Sequence, residues 1–301
     1  MDIQHANAIP LCVIFKILNI PPEPINNGFI LYDAPFGEER LSKLVINPKT
    51  NKWIDPNTNI QGNVILLVCN YLKSQHVNYG VHDALRWLQN MIGVNTPVIP
   101  IPENLPDYTQ EDSKYFVRER TYLSNPILIR YVEERGIPFR YARFILQQVK
   151  VQHKESKKII DAIGFENEDG GIVFRNPLIK GHAGTRHISF VRGNLPKPEG
   201  LNIFLSIFDY LTAITYRDGK AFNENSIILN SYDCYKWLAS YIHDYGYEYI
   251  CTWFDNNDAG EKLTTSMSTY CKTERIRHQP MNDTYEPYRD LNEKYLSRFN
   301  I

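Results

Sequence analysis

Cysteine is scarce in this sequence, and its few cysteines are scattered. Among 301 residues only Cys12, Cys69, Cys234, Cys251 and Cys271 occur, far apart. There is no CxxC pair and no Cys/His cluster at ligand spacing, so a structural zinc site and a disulfide framework are both unsupported. An odd number of thiols fits a reducing compartment. No apolar run approaches the roughly 18 residues that a transmembrane helix needs. The N-terminus, MDIQHANAIPLCVIF, has no basic segment ahead of its apolar residues. A signal peptide is therefore not expected, and the expected location is the cytoplasm, away from membranes. GxxxxGK[ST], GxGxxG, GxSxG and HExxH are all missing, which removes the P-loop, Rossmann, hydrolase-elbow and zincin signatures. Charge of one sign is missing too: 33 Lys+Arg against 34 Asp+Glu leave a net charge of −1, so no global nucleic-acid affinity is implied.

What remains is a globular composition, 43% hydrophobic, rich in tyrosine (20) and phenylalanine (14). The tyrosines read either as half-buried packing groups or as a base-stacking set. Residues 1–20 predict one helix, with Ile9, Val13, Ile17 and Leu18 on one face, stopped by Pro21-Pro22. A strand at Gly28–Tyr32, a hairpin of Leu44–Ile46 with Trp53–Ile54, and helices at Asn63–Lys73 and Val81–Met91 complete a first module, residues 1–92. Residues 93–111 carry four prolines and read as a linker.

Residues 112–160 read as a basic helical stretch. From Lys114 to Lys158, eleven Lys/Arg oppose four acids, a local balance of +7. This stretch is either a solvated helix face or a phosphate-contacting one, and Arg140, Arg143, Lys150, Lys154, Lys157 and Lys158 are the candidate nucleic-acid contacts. A hairpin follows, Ile159–Phe165 and Gly171–Arg175 about an Asn-Glu-Asp-Gly turn, with a further strand at Ile188–Val191. This second region ends near residue 197.

From 198 to 301 strands and helices alternate: strands at Leu201–Leu205, Ser226–Leu229 and Tyr249–Phe254, helices at Ile207–Thr215, Tyr232–Tyr245 and Ala259–Tyr270. That order implies a parallel sheet with helices on both faces, and an α/β class for the chain. Three acidic groups fall near the carboxyl ends of these strands: Asp209; Asp255 with Asp258 in Asp255-Asn-Asn-Asp-Ala-Gly260; and Asp290 with Glu293. Asp and Asn also favour turns and helix N-caps, so each group reads as a cap or as part of a divalent-metal site.

In order, Ile203-Phe-Leu-Ser-Ile-Phe-Asp209, Ile227-Ile-Leu-Asn-Ser231, Phe254-Asp-Asn-Asn-Asp-Ala-Gly260 and Tyr288-Arg-Asp-Leu-Asn-Glu293 resemble the motif series of a Toprim domain, the metal-binding module of bacterial-type primases and topoisomerases. Upstream, Ala162-Ile-Gly-Phe-Glu-Asn167, Gly171-Ile-Val-Phe-Arg-Asn176, Lys180-Gly181 and Thr185-Arg-His-Ile-Ser-Phe190 are similar to primase-like proteins of mobile elements in Bacteroides-type bacteria. The segment Ala34-Pro-Phe-Gly-Glu-Glu-Arg40, Lys43-Leu-Val-Ile-Asn47, Trp53 and Gly62-Asn-Val-Ile65 is similar to their zinc-ribbon module, but without zinc ligands. It is expected to fold without zinc around Phe36, Val45 and Trp53.

The resemblance implies DNA, single-stranded or primed, as the partner, and Mg²⁺ held by Asp209, Asp255, Asp258, Asp290 and Glu293. The departures argue against full activity. The family's general acid/base Glu falls on Leu205, its following Gly on Ser206, and a second core acid on Asn257. Leucine carries no proton, so any Mg²⁺ is expected to bind weakly. The expected function is a nucleic-acid-binding, primase-like protein of a mobile element, acting in replication, mobilisation or excision, with degenerate catalysis. A non-enzymatic interaction or regulatory subunit in defence or counter-defence, with a protein partner, and an active enzyme with a rearranged site are the rival readings.

Overall fold

A computed structural model describes residues 3–25, 28–36, 42–75, 79–92, 99–103, 105–106, 113–243 and 245–299. The chain divides into two compact units, residues 1–97 with 239–246, and residues 98–238 with 247–301. Among the described residues, no helix is long and apolar enough to cross a membrane.

The first unit begins with two short helices, α1 (Ile3–Ala8) and α2 (Leu11–Ile17), where the periodicity predicts one. Pro10 breaks it, because its nitrogen has no proton to continue the ladder. Asn51, in the hairpin turn, repairs the break. Its Nδ2 donates to the carbonyls of Asn7 and Ile9 at 3.0 and 2.7 Å, and its Oδ1 accepts from the Leu11 N–H at 2.8 Å.

A meander follows: β1 (Glu23–Pro24), β2 (Ile30–Asp33), β3 (Lys43–Asn47), β4 (Lys52–Ile54) and β5 (Gln61–Gly62), antiparallel and paired in sequence order. Helices α3 (Val64–Ser74) and α4 (Val81–Ile92) complete the unit. Strand alternation turns Leu44 and Ile46 into the core and leaves Val45 on the other face, so Val45 is not the core residue expected. Trp53 is buried as expected, with Phe36 edge-on at 5.8 Å. The motif residues 37–40, and most of the proline-rich segment 93–111, lie outside the described residues.

In the second unit the basic stretch is not mainly helical. It forms β6 (Tyr115–Tyr122), α5 (Pro126–Glu134), α6 (Phe139–Ala142) and β7 (Gln147–His153). Tyr-Phe-Val-Arg-Glu-Arg-Thr-Tyr is dense in strand-forming residues, and pairing with β7 overrides the helical reading of its charges. Helix α5 ends ahead of Gly136, whose φ of +73° suits glycine.

Strands β8 (Ile159–Glu166), β9 (Ile172–Arg175) and β10 (Lys180–Ala183) join β6 and β7 in a closed five-stranded barrel, order β10-β6-β7-β8-β9. Val149, Val151, Ala162, Ile172, Phe174 and Ala183 fill its interior. Gly181 is required there, since a Cβ at that position would lie 2.6 Å from the Phe174 ring.

The remaining elements are β11 (Ser189–Val191), β12 (Gly200–Phe204), α7 (Ile207–Tyr216), β13 (Asn225–Ile228), α8 (Leu238–Ile242), which but for its first residue is counted with the first unit, β14 (Tyr249–Trp253), α9 (Asp258–Glu274), β15 (Arg277–Pro280) and α10 (Leu291–Leu296). The sheet order is β11-β13-β12-β14-β15. Strands β12 to β15 are parallel, as the alternation predicts, and β11 adds an antiparallel edge strand beside β13. The single helix expected over 232–245 is instead a 3₁₀ segment, Tyr232–Trp237, followed by α8. All five residues of β12 are buried, which marks it as the central strand.

Candidate phosphate and carboxylate site

The connection from β12 runs to β13 on one side, while β14 lies on the other. Strand order therefore reverses between β12 and β14, and the crevice beyond their carboxyl ends is where open α/β sheets hold ligands. Asp209 and Asp255 flank that crevice, and Asp290 joins them from the segment after β15.

Asp209 sits in the first turn of α7 because Ser206 caps the helix. The Ser206 hydroxyl accepts from the Asp209 N–H at 3.3 Å and donates to Asp209 Oδ2 at 2.6 Å. Asp209 Oδ1 accepts from the Asn292 N–H at 3.3 Å. The side chain is 3% exposed. Burial, then the negative charge of Asp290, push its pKa up to about 7.

Asp255 follows β14 and is pushed up to about 6 by burial and then by Asp290, with Arg289 and Lys180 opposing. Asp290 caps α10, accepting from the Glu293 N–H at 2.7 Å, while Glu293 Oε2 accepts from the Arg289 N–H at 2.7 Å. Arg289 lies between two of the acids. Its Nη2 is 2.7 Å from Asp290 Oδ2, and its Nε is 3.9 Å from Asp255 Oδ2.

The five sequence-predicted acids thus part company. Asp209, Asp255 and Asp290 share one electrostatic neighbourhood. Asp258 is exposed on the first turn of α9, where Asn257 is the cap, its Oδ1 accepting from the Gly260 N–H at 2.9 Å. Glu293 is exposed and engaged with the backbone of Arg289. Leu205 is buried at the end of β12, where a carboxylate would have to stand to reach the crevice. Among the described residues, no three His, Cys, Asp or Glu side chains gather closely enough to hold a metal ion. With a guanidinium beside Asp255 and Asp290, an amide at Asn257 and an aliphatic chain at Leu205, the carboxylates left to hold a cation there are Asp209, Asp255 and Asp290.

The six predicted basic residues do not share one face either. Arg140 and Arg143 lie on and just after α6, at the Gln147 end of β7, with their guanidiniums over Tyr141 (4.8 Å) and Phe144 (4.5 Å). Lys154, Lys157 and Lys158 lie around the β7–β8 turn at the other end, about 20 Å away for a seven-residue strand. Lys150, between them, is paired with Glu119 at 2.6 Å.

The cations nearest the acids are others: Arg175 and Lys180 at the β9–β10 hairpin, Arg135 after α5, and Arg289. Arg135 and Arg175 both lie over the Phe208 ring, at 4.9 and 5.3 Å. Arg135 is pushed below its usual pKa by burial and then by Arg175. Lys180 reaches solvent, yet the protein packed around it and then Arg175 also push its pKa down, against the pull of Asp255 and Asp209. Arg175 and Lys180 stand in motifs that the sequence singles out, but their role depends on the barrel register Ile163↔Arg175 and Lys180↔Arg175.

A cavity of about 30 Å³ lies between Arg175, Lys180, Ser206, Ile207 and Asn230. It shares Val173, Lys180 and Asn230 with a second cavity of about 190 Å³, which His182, Arg186 and Ser231 also line. Arg175 and Lys180 thus form a cationic wall of the barrel, with Lys180 in electrostatic reach of Asp255 and Asp209. Such a surface can engage phosphate oxygens on one side while repelling them from the other.

Residues 117–184, from β6 to β10, match a family described as a domain of unknown function, DUF8464. No curated protein matches the sequence. Among solved structures, the chain is similar to the primase fragment of the bacteriophage T7 primase-helicase, at 16% identity and a TM-score of 0.44, over 65% of this chain and 80% of that one. It is also similar to the Aquifex aeolicus primase fragment holding the zinc-binding and RNA polymerase domains, at 14% identity and a TM-score of 0.39, over 98% of this chain and 81% of that one. At TM-scores below 0.5 neither likeness decides fold or role.

Proposed function

We propose that this chain is a nucleic-acid-binding, primase-like protein of the Toprim type, serving a mobile element and no longer carrying out phosphodiester chemistry. The observation that carries this reading is Arg289 between Asp255 and Asp290. It supplies from within the chain the positive charge that a working site of this type takes from a metal. In-line phosphoryl transfer needs mobile charge and a proton carrier at that edge. Leu205 provides no carrier, and Arg289 is tied to the site. Arg175 and Lys180 remain as phosphate contacts, so a strand can be held without being cut or extended.

Fluorescence anisotropy with labelled single-stranded DNA at low salt tests binding. Arg175→Glu with Lys180→Glu is expected to weaken it at least tenfold and to flatten the salt slope by roughly 0.7 per lost phosphate contact. Reversal of Lys154, Lys157 and Lys158, at the far end of the barrel, is expected to have a smaller effect. An absence of binding at low salt, or indifference to the Arg175/Lys180 change, overturns the reading.

A specific observation favours a second reading, that of an interaction subunit. Tyr122, Ile127 and Phe144 are 92%, 69% and 77% exposed. Tyr122 pairs with Gln147, three residues past Phe144, and Ile127 opens α5 beside the Gln148 side chain that holds the Asn125 N–H, so the three gather at one end of the barrel. Exposed apolar side chains grouped this way suit a protein partner. This reading takes over if DNA binding is absent.

A further inference from the structure

A further cavity of the second unit is lined by none of the acids of the carboxylate site. It has a volume of about 330 Å³ and opens between the C-terminal half of α7 and α10. That volume is at the lower end of small-molecule sites, roughly 300–1,000 Å³. Its walls combine three aromatic rings, Tyr216, Phe222 and Trp253, with three cations, Arg217, Lys294 and Arg298, and no carboxylate lines it.

The rings are held in place. Trp253 stacks on Phe204 with centroids 5.3 Å apart, and its Nε1 donates to Asn202 Oδ1 at 3.2 Å. Phe222 is buried against the same cluster. The cations are positioned by the rings and by backbone: Arg217 lies 4.7 Å over Phe222, Arg298 lies 4.6 Å over Tyr216, and Lys294 donates to the Thr284 carbonyl. Among the described residues, none of the three cations meets a carboxylate in an ion pair. A guanidinium lying flat on a ring keeps its N–H edge for an oxyanion.

We propose that this cavity binds a nucleotide, with the base against the aromatic wall and the phosphates on Arg217, Lys294 and Arg298. A flat ring and a multiple negative charge on one small molecule match its two halves, and a neutral nucleoside or a bare anion matches only one. The ligand is either a free nucleotide or the phosphorylated end of a strand. The site stands on its own residues and does not depend on the nucleic-acid reading of the crevice.

Titration of the full chain, following tryptophan fluorescence and melting temperature, tests it. The probes are ATP, adenosine, pyrophosphate, and an oligothymidylate with or without a 5′-phosphate. ATP is expected to quench Trp253 and raise the melting temperature, with adenosine and pyrophosphate each at least tenfold weaker. A tryptophan quench by the 5′-phosphorylated oligonucleotide that the unphosphorylated one does not give, and that persists in Lys180→Glu, assigns the site to a strand end, and a quench by ATP without that difference assigns it to a free nucleotide. Lys294→Gln with Arg298→Gln is expected to weaken binding at least tenfold. Lys294→Gln alone, which leaves the Arg298–Tyr216 packing intact, is expected to weaken it about threefold, while Trp253→Phe keeps binding and loses the quench. Lys180→Glu is expected to leave ATP binding unchanged. No response to millimolar ATP or to the phosphorylated strand, equal binding of adenosine, or loss of ATP binding in Lys180→Glu overturns the proposal.

Discussion

Arg289 donates to Asp290 across 2.7 Å while its Nε stays 3.9 Å from Asp255, so one guanidinium serves two carboxylates that repel each other. Its removal leaves Lys180 as the remaining cation that favours ionised Asp255. In Arg289→Gln the pKa of Asp255 is expected to rise further above about 6, because a cation that favours its ionised form is gone. Carboxyl carbon NMR titration of Asp255 reads this directly. An unchanged or lowered value contradicts the assignment of Arg289 as the internal cation.

Asp209 gives the stability of the second unit a particular pH dependence. The folded chain keeps its proton up to about pH 7, whereas a free aspartate gives it up near 3.8. The folded state therefore binds more protons across that interval, and stability falls as pH rises through it. Asp209→Asn is expected to melt like wild type at pH 4. At pH 8 it is expected to be more stable, by an amount on the order of 2 kcal/mol. The amide can still accept from the Asn292 N–H and donate to Ser206, so the helix cap is retained. Parallel melting curves at both pH values overturn this.

Asn51 joins the broken helices of the first unit to the hairpin turn. Asn51→Ala removes three hydrogen bonds and places a non-glycine, non-asparagine residue at φ +52°. The expected loss is about 2–4 kcal/mol in denaturant unfolding of that unit. A loss under about 0.5 kcal/mol means that the α1–α2 junction is held elsewhere.

The three acids of the site are legible in the sequence because each stands at the start of a helix, Asp209 and Asp255 closely behind an apolar strand, a local pattern. The parallel sheet is legible for the same reason. The cations that matter are not, because Arg175 and Lys180 come near Asp209 and Asp255 only through barrel closure, which no local signal reports. The same non-local pairing turns residues 115–122 and 147–153 into strands where their charge density suggests helix. It also sends Lys154, Lys157 and Lys158 to the end opposite Arg143. The split of the first helix is readable at Pro10, but its repair by Asn51, forty-one residues on, is not. Nor is the aromatic, cationic cavity between α7 and α10, whose nine lining residues come from three stretches, 213–222, Trp253 and 284–298.

The first unit is expected to need no zinc. Trp53, Leu44, Ile46 and Phe15 are buried within it, and among its described residues Cys12 is exposed and Cys69 half-buried on another element. Treatment with a chelator, followed by melting and elemental analysis, is expected to leave the transition unchanged. Stoichiometric zinc whose removal lowers the melting temperature contradicts this.

The proposed function rests on Arg289 supplying the positive charge at the acidic end of the sheet. The most direct measurement is a Mg²⁺ and Mn²⁺ titration of the intact protein, following strand cleavage and primer synthesis on single-stranded DNA in the same samples. The expected result is binding of DNA without metal-dependent turnover. Metal-dependent turnover by the wild type that disappears in Asp255→Ala contradicts the account.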